Sequence, residues 1–151
     1  MKKIPPKPEP GLVLSYAYLW ADEHKKGQTE GRKDRPAAIV LVNANLGPSE
    51  VVYVVPITHT PPDTDDGSKI AIPRELKERL GLDHETSWVD VTEVNVFVWP
   101  GPDLRPTKEE ERSDQPSWSY GYLPSRFFEK IKLSLELQRK LNRVRAVKRG
   151  F

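Results

Sequence analysis

Two apolar runs in the first half of the chain constrain its fold more than any other feature: "AAIVLVN" at 37–43 and "EVVYVVPIT" at 50–58. Both are dominated by β-branched residues, and neither shows the polar alternation of a strand with one wet face. The spacer around "NLGPS" carries the Asn, Gly and Pro of a short turn. Two strands so joined, and apolar on both faces, belong in the middle of a sheet that is covered on two sides. Pro56 has no amide hydrogen to give a ladder, so the second strand should loosen or reach an edge there.

The flanking segments supply the cover. "LVLSYAYLW" (12–20) reads as a first strand, followed by a polar loop from Ala21 to Arg35. "KIAI" (69–72) can pair as a short strand, and "PRELKERLG" (73–81) fits one short helix with Pro73 in its first turn and Gly81 at its end. "SWVDVTEVNVFVWP" (87–100) holds a strand pattern in two pieces, and the proline- and charge-rich stretch 100–119 reads as a loop. A terminal helix is expected from Ser125, its N-cap, to about Val147. Phe128, Ile131 and Leu135 form one apolar stripe on it, and Leu137, Leu141 and Val144 continue a shifted one.

Strands and helices do not alternate, which argues against a parallel βαβ arrangement. The expectation is a mainly β, α+β domain of five or six strands: a small, strongly bent antiparallel sheet or barrel packed by the C-terminal helix. Residues 1–10 carry four prolines and read as an extended leader outside the fold, leaving 11–148 as one domain.

Composition removes several function classes. The 151 residues include no cysteine, so a disulfide scaffold, a thiol nucleophile and a Cys-ligated metal are excluded. The three histidines, His24, His59 and His84, show no metal-binding spacing, and no Gly-rich phosphate loop occurs; no cofactor is expected. No apolar run approaches the roughly 20 residues of a membrane helix, and the lysines at the start are followed by no apolar stretch of a signal peptide. A cytoplasmic protein without a membrane partner is the expectation. The formal net charge is only +2, but Arg139, Lys140, Arg143, Arg145, Lys148 and Arg149 form an acid-free basic run, either a phosphate-attracting tail or the solvated end of a helix.

Chemistry concentrates where the polar loop meets the first central strand. If the first three strands form one antiparallel meander, Arg35 begins the second and Thr58 ends the third, so the two meet at one sheet edge. A guanidinium offers permanent charge and forked donors to a phosphate, and a threonine hydroxyl beside it can bond a second phosphate oxygen. Glu30, on the loop, is a candidate proton acceptor. Such a set suits metal-free phosphodiester cleavage, in which a 2′-hydroxyl attacks its own phosphate. Arg32 and Lys33 would add diffuse attraction for a phosphate backbone. His59 can exchange protons near neutral pH, although strand alternation points it away from the face of Thr58. Trp20, beside the loop, is a candidate to stack on an unpaired base, and Trp118 another.

Gly11, the aromatic strand after it, the polar Gly/Gln/Glu loop, "RPAAIVLVN" and "VVYVVPITHT" together resemble the MazF/PemK (Kid) family of toxin endoribonucleases. The most specific part is the ordered pair "RP" and "PIT", with 23 positions from Arg35 to Thr58. "VDVTEV" (89–94) is similar to a later strand of that family, and "GYLPSRFFEKIKLSL" (121–135) to its entry into a terminal helix. The resemblance implies an SH3-like barrel, a homodimer, and metal-independent cutting of single-stranded RNA (mRNA) to 2′,3′-cyclic phosphate and 5′-hydroxyl ends, silenced by a cognate antitoxin. It implies Arg35 as phosphate-stabilising and acid group, Thr58 as hydroxyl partner, and Glu30 as general base. Leu12 stands where many members have Asp, Asn95 where a basic residue is common, and the first loop is longer than usual. The alternative is a non-catalytic module on the same barrel that grips a protein target, as gyrase-poisoning relatives of this fold do, or RNA without cutting it.

Overall fold

The computed structural model describes residues 7–28, 34–46, 49–107 and 118–150. Glu30, Arg32 and Lys33, and residues 108–117 of the charged loop, lie outside the described residues.

The two apolar runs are β2 (Arg35–Leu46) and β3 (Ser49–Thr58), paired antiparallel from Ala37↔Pro56 to Leu46↔Ser49. β1 (Leu12–Tyr16) lies antiparallel on the other edge of β2. As expected of central strands, β3 and the 37–40 part of β2 are buried on both faces, whereas Leu41 is 51 % exposed. Leu12, Leu14, Ile39, Val52, Val54 and Phe97 build one core, while Val13, Ala38, Val40, Val51, Val55 and Ile57 belong to the other. Between Ile39↔Val54 and Leu41↔Tyr53, β2 advances two residues against one on β3, a bulge at Val40 that bends the strand.

The free edge of β3 is shared. Val51–Val54 pair with β6 (Glu93–Val98), and Ile57–Thr58 pair with β5 (Trp88–Asp90), which also carries β4 (Lys69–Ala71). The change of partner falls at Val55–Pro56, where the missing amide hydrogen interrupts the ladder. Among the described residues eight strands and three helices form an α+β fold whose sheet is mainly antiparallel, and the pairing does not close on itself.

Several sequence expectations are corrected. The first strand ends at Tyr16, and residues 17–20 form a strap pinned by buried Asn95: Leu19 N–H donates to Asn95 Oδ1 (3.0 Å) and Asn95 Nδ2 donates to the Leu19 carbonyl (2.8 Å). The polar loop opens with a short helix, α1 (Ala21–Lys25), whose first amides are taken up by Glu23 and Glu93 carboxylates. α2 (Arg74–Leu80) follows the expected pattern, with Gly81 in the left-handed region (φ 71°) closing it. Beyond the charged loop, β7 (Ser119–Tyr122) pairs with β1. Near the N-terminus Pro8 is buried, and Tyr122 Oη donates to the exposed Glu9 carboxylate at 2.8 Å.

The terminal helix α3 spans Ser125–Lys140, with Pro124 and not Ser125 at the N-cap position. It stops where Asn142 turns left-handed (φ 56°), a conformation asparagine tolerates, and Arg143 N–H donates back to the Gln138 carbonyl. The chain then forms β8 (Arg145–Arg149), parallel to β6, so the helix expected to reach about Val147 gives way to a strand. The reason lies in its period: Val147 and Arg149 point inward two residues apart. Ile131 of α3 is fully buried with Phe128 and Leu135 partly so, whereas Leu137 and Leu141 of the second expected stripe are exposed.

Candidate active site

Arg35 and Thr58 arrive at the site through the β2–β3 register. The β2–β3 ladder begins at Ala37↔Pro56, and Arg35 and Thr58 lie two residues beyond that pair on their own strands. Facing residues of an antiparallel pair project from the same side of the sheet. Both line one cavity of about 1010 Å³, together with Asp34, Pro36, His59, Lys77, Asp83, Ser87, Thr107 and Tyr120 among others. The meander geometry expected from sequence is thus what brings this pair to one opening.

Arg35 is held from one side. Its guanidinium carbon lies 5.1 Å from the centre of the Trp20 ring, a cation–π contact, and Trp20 is set edge-on against Tyr18. The Nε atom of Arg35 is buried without a hydrogen-bond partner among the described residues. Burial pulls its pKa below the ordinary arginine value, opposed by the carboxylate of Glu23 and by Tyr18. A guanidinium beside a cavity has the charge and the donors that suit an anion. Asp34, next in the chain, is turned to Arg105, with 3.6 Å between carboxylate and guanidinium. Trp20 is not among the cavity-lining residues; its contact is with the arginine.

Thr58 is buried at 6 % exposure, and its Oγ1 accepts the Thr60 N–H (3.1 Å). That bond turns the chain out of the ladder immediately after the strand. His59 therefore does not follow the alternation expected of a continuing strand and stands at the wall of the same cavity.

Another part of the cavity lining was not singled out from sequence. Lys77 of α2 is 5 % exposed, and its three donors meet three acceptors: Asp83 Oδ1 at 2.7 Å, Ser87 Oγ at 2.7 Å and the Glu85 carbonyl. This lysine binds the 82–87 turn to the helix. The turn in turn holds His59, with Nε2 2.7 Å from Asp83 Oδ2 and Nδ1 3.1 Å from Glu85 Oε2. Desolvation pushes the Asp83 carboxyl up, but the hydrogen bonds and charges of Lys77 and His59 outweigh it and hold the group below its ordinary range. The signal available in sequence was a polar turn, "LDHETS", directly after a glycine-terminated helix.

Trp118 is buried in the core and is no exposed stacking platform. Arg149, read from sequence as part of a basic tail, is also buried: its Nη2 donates to Asp103 Oδ1 (3.0 Å) and its Nη1 to the Ala17 carbonyl (2.6 Å). No helix among the described residues is long and apolar enough to cross a membrane. No protein-family model matches the chain, and a search of curated proteins finds no match.

Proposed function

We propose that this chain is a metal-independent endoribonuclease of the MazF/PemK type, acting on single-stranded RNA. The observation that carries the reading is that Arg35 of β2 and Thr58 of β3 line one cavity. In the reaction, the 2′-oxygen attacks the adjacent phosphorus and negative charge grows on the non-bridging oxygens. Arg35 neutralises it with a fixed planar cation, and Trp20 behind the guanidinium keeps it aimed. Thr58 Oγ, its lone pair engaged by Thr60 N–H, directs its own hydrogen to a second oxygen. Glu30 takes the 2′-hydroxyl proton. The products are a 2′,3′-cyclic phosphate and a 5′-hydroxyl. The bent sheet would be the wall of an SH3-like barrel, working in the cytoplasm as a homodimer and restrained by a cognate antitoxin, with Arg32 and Lys33 drawing in the RNA backbone.

Single-stranded RNA of mixed sequence, incubated with the protein in excess EDTA, should be cut to fragments with 5′-hydroxyl ends. Arg35→Ala should lose about 10²–10³-fold in rate, the scale of removing one preorganised oxyanion donor, and Thr58→Val should fall in the same direction. Equal cutting by wild type and Arg35→Ala, or no cutting of any RNA, would sink the assignment. RNA held without being cut would favour the binding-module alternative.

A further inference from the structure

The cavity that Arg35 lines also holds a histidine with a carboxylate at each ring nitrogen. Asp83 Oδ2 lies 2.7 Å from Nε2 of His59, and Glu85 Oε2 lies 3.1 Å from Nδ1. An ionised carboxylate only accepts, so each of these contacts offers an acceptor to the ring nitrogen it faces. The two grips are unequal. Asp83 is anchored by the buried ammonium of Lys77 at 2.7 Å, which is itself fixed to Ser87 and the Glu85 carbonyl. Glu85 has a side chain 71 % exposed and a longer contact. The other charged or titratable groups around this wall include His84, Glu78 and Arg79, which line the cavity, and Lys69, whose ammonium is spent on the Thr60 and Pro61 carbonyls.

We propose that His59 is the general acid of the cleavage reaction and that Asp83, fixed by Lys77, is its positioning residue. The inference rests on the endoribonuclease reading. The O2′–P bond forms as the 2′-hydroxyl proton passes to the general base of that reaction. The P–O5′ bond breaks with its electron pair on O5′, and that oxygen takes the proton from Nδ1 of His59 as Glu85 swings into solvent. Water then returns a proton to the ring. Arg35 and Thr58 stabilise charge on the non-bridging oxygens and need not transfer a proton. The geometry favours this division. Thr58 and His59 are consecutive, and the turn made by Thr60 N–H on Thr58 Oγ1 leaves both lining one opening. Among the described residues lining the cavity, the imidazoles are His59 and His84, and of the two it is His59 that directly follows Thr58.

The test uses two forms of one RNA, made at a linkage that the wild type is first shown to cut. One carries the natural 5′-oxygen at that linkage and the other a bridging 5′-sulfur, whose thiolate leaves without a proton. His59→Gln should lose about 10²–10⁴-fold on the oxygen substrate, the usual contribution of a general acid, and match the wild type on the sulfur substrate. An equal loss on both, or no loss on oxygen, overturns the role of His59 while leaving the nuclease reading standing. If His59→Gln does not fold, Asp83→Asn is read the same way: a partial loss on oxygen that sulfur abolishes supports the proposal, and an equal loss on both overturns it. A wild type that cuts no RNA overturns the nuclease reading and the acid with it.

Discussion

The side chains that decide this site do so through their partners. Asp83 is half-exposed, yet it lies between a buried lysine and a histidine, and their hydrogen bonds and charges outweigh its desolvation. A carboxyl whose folded-state pKa is depressed contributes stability above its unfolded value and loses it as pH falls through the folded one. The window therefore lies below about 3.8, the ordinary value for this group. Asp83→Asn should be less stable than the wild type at neutral pH, and the gap should narrow as the solution is acidified below that value. Chemical denaturation followed across the acid range checks this, and a gap that stays constant wherever the fold survives would count against it. Arg35 and Thr58 were legible as positions because the two apolar strands whose ends they mark are plain in the sequence, and the resemblance to a known family singled them out. Lys77, Asp83 and Glu85 were not, since nothing local distinguishes a buried lysine from a solvated one on a charged helix.

At the level of elements, the C-terminal strand is where local pattern misled. An arginine-rich run after a helix invites the reading of a solvated continuation. β8 instead lies parallel to β6 and carries Val147 and Arg149 inward. Arg149 and Asp103 are 4 % and 11 % exposed at their side chains, and the guanidinium also reaches the Ala17 carbonyl, so one residue ties the strap after β1 and the 100–107 segment to the sheet. Removing one member of a buried ion pair strands the other's charge away from water. Arg149→Met should therefore cost about 3–5 kcal/mol, read as a lower urea midpoint with the slope unchanged. A cost below about 1 kcal/mol, the range of an exposed pair, would mean that β8 is only loosely attached. Helix α2, by contrast, followed its sequence pattern closely, because its start at Pro73 and its stop at Gly81 are written in the backbone preferences of those two residues.

For the molecule as a whole, the central hairpin separates two cores. Val54 packs with Leu14, Ile39 and Phe97 on one side, and Val55 packs with Ala38, Val89 and Ile131 on the other. Both valines are fully buried. Val54→Ala and Val55→Ala should thus be similarly destabilising, by roughly 1–3 kcal/mol each. A sheet with one wet face would tolerate one of the two, and finding one substitution near neutral by denaturation would refute the two-core description. The sequence alone determined the hairpin, its burial on both faces and its disturbance at Pro56, because these follow from side-chain period and from an amide hydrogen that is missing. It determined through the same hairpin that Arg35 and Thr58 share an edge. Only the tertiary structure decided that Lys77 lies buried, that His59 is held by two carboxylates, and that the basic terminus is a strand inside the fold. Each of these depends on contacts between segments far apart in the chain, where the charge of a residue says little until its partner and its distance from water are known.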